Sequence, residues 1–134
     1  MNDEVSDLGR NLFFDKILSL KGDNACAGCH APSRGFGDTQ PIAIGIDNNN
    51  LVGRKRTGPR NQRRTPMVLN TAMFARLMWN SRFFSVSDDP FDNSLGFVFP
   101  LPEGVSLSYV PHLLNAQAFI PPTERIEMTS FKSH

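Results

Sequence analysis

Long apolar runs, spare cysteines and a strong net charge are all missing from this 134-residue chain. No apolar stretch is long enough to cross a bilayer, so we expect no membrane span. Fourteen Lys and Arg against thirteen Asp and Glu leave a formal net charge of +1. Bulk electrostatics therefore argue against nucleic acid or an anionic membrane as a partner. A chain of this length predicts a single domain over residues 1–134 with one core.

Tyrosine and tryptophan are also scarce, with one of each against eleven Phe. Phe packs around a large apolar ligand without bringing hydrogen-bonding groups that need partners. A Phe-rich core with no ligand would explain the same composition. Both interpretations stay open at this point.

The two cysteines, Cys26 and Cys29, belong to a C-x-x-C-H run that ends at His30. Their spacing puts both thiols on one side of a helical turn, where they can form thioethers with the two vinyl groups of a porphyrin. His30 then stands where a ring nitrogen can coordinate the haem iron. The run predicts one covalently bound haem c, attached at Cys26 and Cys29, with His30 as the axial iron ligand.

The same cysteines could instead form a zinc site, a redox-active dithiol or a plain disulfide. A zinc site needs two further ligands, and the histidines beyond the run are His112 and His134. A dithiol of the thioredoxin kind needs a βαβ context, which the sequence pattern does not show. Haem attachment is therefore the favoured interpretation.

Apolar spacing predicts a mainly helical chain. Val5, Leu8 and Leu12 recur at three- and four-residue steps within residues 3–15, and acidic residues occupy the first turn, where the helix dipole favours them. Further short helices are predicted at four places: from Pro66, near Trp79, over 109–119 and over 123–128. Residues 39–65 should be irregular, since Gly, Asn and Pro interrupt any period. No strand pattern is persuasive, so the expected fold class is all-α, with long ordered loops around one haem.

A basic stretch lies within the irregular region. It has six basic residues and no acid: Arg54, Lys55, Arg56, Arg60, Arg63 and Arg64. A solvated loop explains it. One or two arginines that neutralise haem propionates or a partner's carboxylates explain it equally well. Interleaved aromatics and a recognised motif are missing, so nucleic acid is not predicted.

Five segments in chain order resemble one known family. They are LGRNLFFD at 8–15 with LS at 18–19, the haem run, RTPMVLN at 64–70, MWNSR at 78–82, and the Glu127-Met128 pair. The family is that of the bacterial di-haem cytochrome c peroxidases and MauG. The resemblance implies two cytochrome c-like domains, each with its own haem run. Because one run exists here, we expect the N-terminal, peroxide-reacting domain, cut before the electron-accepting domain.

The resemblance also implies roles for three residues. Glu127 matches the family's distal Glu, which moves a proton between the two oxygens of hydrogen peroxide. Gln117 matches a Gln that lines the same pocket, and Trp79 matches a Trp between the two haems. By residue type alone, Glu127 and Gln117 would be exposed polar side chains and Trp79 a core aromatic.

Two departures from the family pattern concern ligands. Many members carry a displaceable His shortly after a Gly in the loop that follows the haem run, whereas this chain has Gly45 and Ile46 there. The iron is then expected to be open without reductive activation, as in the MauG branch. The Asn that the family supplies to an interdomain calcium is replaced by Arg64. This argues against calcium, although Asn61 could substitute.

Partners and location follow from the same resemblance. A small electron-donor protein, of the cytochrome c or cupredoxin type, would deliver electrons through the missing C-terminal haem domain. The surface that meets that domain should be exposed, which favours a homodimer of the fragment. Covalent haem attachment occurs outside the bacterial cytoplasm, and the chain begins without an apolar signal segment. We therefore expect a mature or truncated chain from the periplasm.

A single-haem electron carrier is the competing interpretation. Such a protein places a methionine or a second histidine on the other side of the iron and closes it to peroxide. The candidates are Met67, Met73, Met78, Met128 and His112. Methionines at helical spacing are more often core residues than ligands.

Overall fold

The computed structural model describes residues 2–99 and 109–129, which pack as two compact units. In the described part, unit 1 holds residues 2–69 and 122–129, and unit 2 holds residues 70–99 and 109–121. No helix in these ranges is both long and apolar enough to cross a bilayer. His134, one of the histidines considered for zinc, lies outside the described residues.

Unit 1 contains the two helices nearest the start of the chain. They are α1 (Asp3–Phe14) and α2 (Cys26–Cys29), and a 3-10 turn (Pro32–Arg34) and a π turn (Arg125–Thr129) accompany them. The segment between Arg34 and Asn70 forms neither helix nor strand, apart from two isolated bridges, one from Gly37 back to Ala31 and one between Ile44 and Arg60. The predicted irregular stretch over 39–65 is confirmed.

The predicted helix over 3–15 is confirmed as α1. The side chain of Asn2 caps it by accepting from the backbone N–H groups of Glu4 and Val5 at 3.1 and 3.3 Å, which satisfies two of the donors that a helix start leaves unpaired. Asp15 ends the helix in an extended conformation. No residue of α1 is fully buried, so its apolar stripe stays partly open to solvent.

The all-α prediction is wrong, because unit 2 is built on a three-stranded antiparallel sheet. Its strands are β1 (Arg76–Leu77), β2 (Phe83–Ser85) and β3 (Phe97–Val98), in the order β1-β2-β3. Phe84 pairs with Arg76 on one side and with Val98 on the other. The helix predicted near Trp79 is replaced by the connection between β1 and β2.

Left-handed backbone explains why helical spacing misled here. Asn70, Met78 and Ser81 all have positive φ, at 60°, 66° and 55°, and a helix cannot continue through such residues. The helix predicted from Pro66 is absent, and a 3-10 turn (Thr71–Met73) forms instead.

The two helices predicted near the end of the described chain are shorter than expected. The one predicted over 109–119 is confined to α3 (Leu113–Gln117). The helix predicted over 123–128 is replaced by the end of a 3-10 turn (Pro121–Thr123) and most of the π turn (Arg125–Thr129).

The core of unit 2 packs the sheet against α3. Leu77, Phe83, Leu113 and Ile120 form its buried cluster, and Phe83 has no exposed surface. The ring of Phe99 meets that of Phe83 edge to face, with centroids 5.7 Å apart. Part of the Phe excess therefore belongs to an ordinary core.

Replacing Phe83 should destabilise unit 2 severely. Phe83→Ala removes a fully buried ring and leaves a cavity, which typically costs about 3–5 kcal/mol of unfolding free energy. The matched control is Phe74→Ala, since the Phe74 side chain is 53% exposed. Urea unfolding of the haem-loaded protein, followed by the fluorescence of the single tryptophan, measures both variants. Equal losses would contradict this account of the core.

Candidate functional site

The haem run folds as one helical turn. α2 begins after the extended residue Ala25, and the N–H of His30 closes the turn on the carbonyl of Cys26 at 2.8 Å. Because the cysteines are three residues apart on this turn, their side chains leave the same face. Both thiols are free and partly buried.

A hydrogen bond fixes the ring of His30. Its Nδ1–H donates to the carbonyl oxygen of Phe36 at 3.2 Å, so Nε2 is the ring nitrogen whose lone pair could coordinate a metal. The acceptor belongs to a tight loop over 31–37, closed by a bridge between Ala31 and Gly37 and by the left-handed Gly35. Burial lowers the pKa of His30, so the imidazole is held neutral, as an iron ligand must be.

Phenylalanines line this side of unit 1. The ring centroid of Phe13, on α1, lies 6.2 Å from that of His30 and 5.9 Å from that of Phe36. Leu12 and Phe13 are half-buried. The end of α1 therefore offers an apolar wall next to the imidazole, as a porphyrin site requires.

The electrostatics of the thiols oppose the dithiol interpretation. Burial raises the pKa of Cys26, and it raises the pKa of Cys29 to about 11. A redox-active dithiol has the reverse character, with a pKa below the ordinary value. In residues 2–99 and 109–129, no three His, Cys, Asp or Glu residues cluster as a metal site would need. Two free thiols on one helical face and a neutral imidazole with Nε2 available fit a covalently attached haem.

Glu127 lies in the same unit as the haem run. It belongs to the π turn, is half-buried, and its Oε1 accepts from Asn61 Nδ2 at 3.2 Å. The carboxylate lies close enough to the cysteines to add to the rise in the pKa of both thiols, after the larger effect of burial. The exposed side chain that residue type suggested for Glu127 is therefore wrong.

A glycine allows the π turn to approach. A Cβ on Gly45 would overlap the carbonyl oxygen of Ile126 and would lie 2.8 Å from the Cα of Glu127. Ile46, which the resemblance aligns with the family's displaceable His, is buried, and its N–H donates to the same Ile126 oxygen at 3.2 Å. The missing side chain of Gly45 thus allows the backbone of Glu127 to pack directly against residue 45.

The amide considered for calcium binding is already engaged. Asn61 gives its Nδ2–H to Glu127, and its Oδ1 accepts from the N–H of Gln62 at 2.6 Å. Arg64 donates to the main-chain oxygen of Asp38 at 3.0 Å. Asn61 therefore holds the Glu127 carboxylate, a role that the sequence did not suggest.

Gln117 and Trp79 belong to unit 2. Gln117 is the last residue of α3 and is half-buried. Trp79 follows the left-handed Met78, and its side chain is 70% exposed, so the core position that its residue type suggested is wrong. The structure brings Cys26, Cys29 and Glu127 together in unit 1 and places the other two candidates in the second unit.

Two of the ligands that an electron carrier would use are occupied. His112 accepts at Nδ1 from the N–H of Leu114 at 3.0 Å, so its Nε2–H donates to the carbonyl of Ala72 at 2.9 Å. Met128 is buried, and its sulfur accepts from Asn24 Nδ2 at 3.6 Å. Met73 is exposed, and Met78 packs on the unit 2 core.

The basic stretch divides into two kinds of residue. Arg54 and Arg64 are exposed and, with Arg34, line a polar cleft of about 330 Å³. Arg56 is 4% exposed, so the solvated-loop interpretation fails for this residue. No local signal in the sequence separates it from its neighbours.

Comparison with known proteins gives a consistent match. The family model described as "Di-haem cytochrome c peroxidase" matches residues 3–134. The chain is 38% identical over 79 residues to "Methylamine utilization protein MauG" of Methylophilus methylotrophus, covering 59% of this chain and 21% of that protein. It is 35% identical over 81 residues to "Cytochrome c551 peroxidase" of Nitrosomonas europaea, covering 60% and 21%. "Cytochrome-c peroxidase IdrP2" of Pseudomonas sp. (strain SCT) is 32% identical over 81 residues, covering 60% and 19%.

A solved structure shares the fold. "Crystal structure of a MauG-like protein associated with microbial copper homeostasis" matches with a TM-score of 0.53 at 23% identity, over 99% of this chain and 38% of that one. The match to the curated relatives spans about a fifth of their length.

Covalent attachment can be tested by removing the thiols. Cys26→Ala combined with Cys29→Ala should release the haem on denaturation, since no thioether remains, whereas His30→Gly should keep the haem attached and lose the axial bond. Mass spectrometry of the denatured proteins measures attachment, and the visible spectrum reports the axial ligand. Haem retained through denaturation by the double variant would disprove the assignment.

Proposed function

Because this chain belongs to the di-haem cytochrome c peroxidase family, we propose that it is the peroxide-reacting haem portion of a longer peroxidase. Cys26 and Cys29 would hold one haem c, and Nε2 of His30 would bind its iron. Bound haem supplies an iron centre that reacts with hydrogen peroxide and passes electrons. The remaining chemistry falls to side chains of this chain.

Glu127 would carry the proton. Cleavage of a peroxide is easier when the outer oxygen gains a proton in the transition state, and a carboxylate can transfer it from the inner oxygen. Asn61 supports this role because its Nδ2–H, 3.2 Å from Oε1, restrains the carboxylate. Gln117 can only hold or polarise the peroxide, because an amide does not titrate. Trp79 would lie on the route of electrons from the second haem.

The observation that carries the proposal is the grouping in unit 1. A neutral imidazole, two free thiols and a half-buried carboxylate occupy one compact unit although Glu127 is 97 residues after His30 in the chain. Partial burial of a carboxylate costs free energy, because the charge loses part of its hydration. Such groups are commonly retained at functional sites. An electron carrier has no use for such a group.

The electron-carrier alternative is less well supported. The matched relatives quoted above are named as peroxidases or MauG. Met128 and His112, two of the ligands that the alternative needs, are engaged in hydrogen bonds elsewhere. The peroxidase assignment is therefore preferred.

Removing the carboxylate tests the proton-transfer role. Glu127→Gln keeps the shape and the hydrogen bonding of the side chain but cannot exchange a proton, so the rate of reaction with peroxide should fall on the order of a hundredfold or more. Stopped-flow absorbance after mixing with peroxide measures this rate. Haem content and the resting spectrum should change little.

The matched control is Glu124→Gln, three residues earlier and also half-buried. It removes the same charge from the same region and should leave the rate within a few-fold of the original. If Glu127→Gln reacts as fast as the unchanged protein, Glu127 is not the acid–base group.

The partners proposed are hydrogen peroxide, a small electron-donor protein and a C-terminal haem domain, in the periplasm. Unit 2 exposes apolar side chains that offer a surface for association. Three of them are 69–72% exposed: Met73, Trp79 and Tyr109. Calcium is not part of the proposal, since Asn61 is already engaged.

Association should therefore depend on the second domain. We expect this fragment to self-associate when alone and to become monomeric or change its oligomeric state when the C-terminal haem domain is joined to it, because that domain covers apolar surface. Analytical ultracentrifugation of both forms measures the change. The same state of association with and without the second domain would count against the proposal.

A further inference from the structure

Arg56 is a buried cation that forms no ion pair within residues 2–99 and 109–129, although the charges of Asp23 and Asp38 act on it from a distance. Its guanidinium donates only to neutral acceptors: Nε to the carbonyl of Ile44 at 2.8 Å, Nη1 to that of Leu51 at 2.9 Å, and Nη2 to that of Gly45 at 3.0 Å and to Asn24 Oδ1 at 2.6 Å. The ion pairs in the described ranges do not include it. Burying a charge is expensive unless its hydrogen bonds are satisfied, so the four acceptors that hold this guanidinium are important for its position.

The guanidinium lies directly against the haem-attachment turn, the helical turn formed by residues 26–30. A Cβ on Gly28 would be 3.2 Å from both Nη1 and Nη2 of Arg56, and 2.7 Å from Asn24 Oδ1. The middle of the C-x-x-C-H run therefore rests on the arginine. Its charge also acts on Cys29, where it opposes the larger effect of burial on the thiol.

Asn24 connects the arginine to the segment that carries Glu127. With Oδ1 bound to the cation, Nδ2–H points the other way and donates to the main-chain oxygen of Glu127 at 2.9 Å. Gly45 makes a second connection, because its carbonyl accepts from Arg56 while its Cα faces the backbone of Glu127. The guanidinium thus contacts the haem-attachment turn directly, and Asn24 and Gly45 connect it to the π turn.

We propose that Arg56 is a positioning residue that fixes Glu127 relative to the haem-attachment turn through Asn24 and Gly45. The inference rests on the proposed function, since it takes Glu127 as the group that moves the proton. A planar fork with five N–H donors can serve all four acceptors at once, which a lysine ammonium with three donors cannot.

The first measurement is hydrogen exchange in the haem-loaded protein. Arg56→Lys keeps the charge but loses part of the fork, so amides in 124–129 and 20–24 should exchange faster, by about tenfold for coupled neighbours of this kind. Arg60→Lys is the matched control, because Arg60 is an exposed arginine of the same stretch. Unchanged exchange in 124–129 for Arg56→Lys would overturn the proposal.

The second measurement is a double-mutant cycle on the rate with peroxide. Arg56→Lys should slow the reaction about tenfold when Glu127 is present and have no effect in the Glu127→Gln background, since a residue that acts through Glu127 loses its influence with it. Equal slowing in both backgrounds would contradict a role through Glu127.

The two measurements distinguish a failure of this inference from a failure of the proposed function. In the latter case Glu127→Gln alone leaves the rate unchanged, while the exchange measurement still decides whether Arg56 fixes the π turn. If Arg56→Lys does not accumulate with haem, Asn24→Ala removes the same connection and leaves the arginine bound to three carbonyls. It should give the same faster exchange in 124–129, and normal exchange there would overturn the proposal.

Discussion

The hydrogen bond from His30 Nδ1 to the carbonyl of Phe36 is the interaction on which the site depends. It leaves Nε2 as the nitrogen that would coordinate a haem iron, and it requires the loop over 31–37 to close so that this carbonyl faces the ring. The cysteines would hold the haem, whereas this bond fixes the orientation of the imidazole that would bind its iron. The short turn of α2 carries both functions within five residues.

Around that turn, unit 1 is held by buried polar contacts as well as by buried apolar side chains. Its buried polar groups include Asn24, Asp38 and Arg56, and each one joins segments that are distant in sequence. Such networks specify one arrangement when every member is satisfied. The consequence is that Glu127, far along the chain, takes a defined place beside the haem run.

The sequence predicts the local features and misses the long-range ones. The helix α1 follows from the apolar spacing of residues 3–15 and from the acidic first turn, and the turn of α2 follows from the spacing of Cys26 and Cys29. All of these signals are local. The sheet of unit 2 could not be predicted because its strands have only two or three residues, too few to show an alternating pattern. Left-handed residues such as Met78 also interrupt the helix that the apolar spacing suggested. The burial of Arg56 could not be predicted because it depends on the carbonyls of an irregular loop, and no local sequence pattern indicates the path of that loop. Glu127 was found through the family resemblance and not through any property of its own segment.

The visible absorption spectrum of the purified protein, oxidised and then reduced, tests the central claim most directly. We expect a c-type haem with a high-spin ferric band, because we propose His30 as its one protein ligand, which would leave the other side of the iron open to peroxide. A methionine charge-transfer band or a low-spin ferric spectrum would contradict it, since the iron would then be closed. A colourless protein, after correct maturation, would rule out the haem assignment itself.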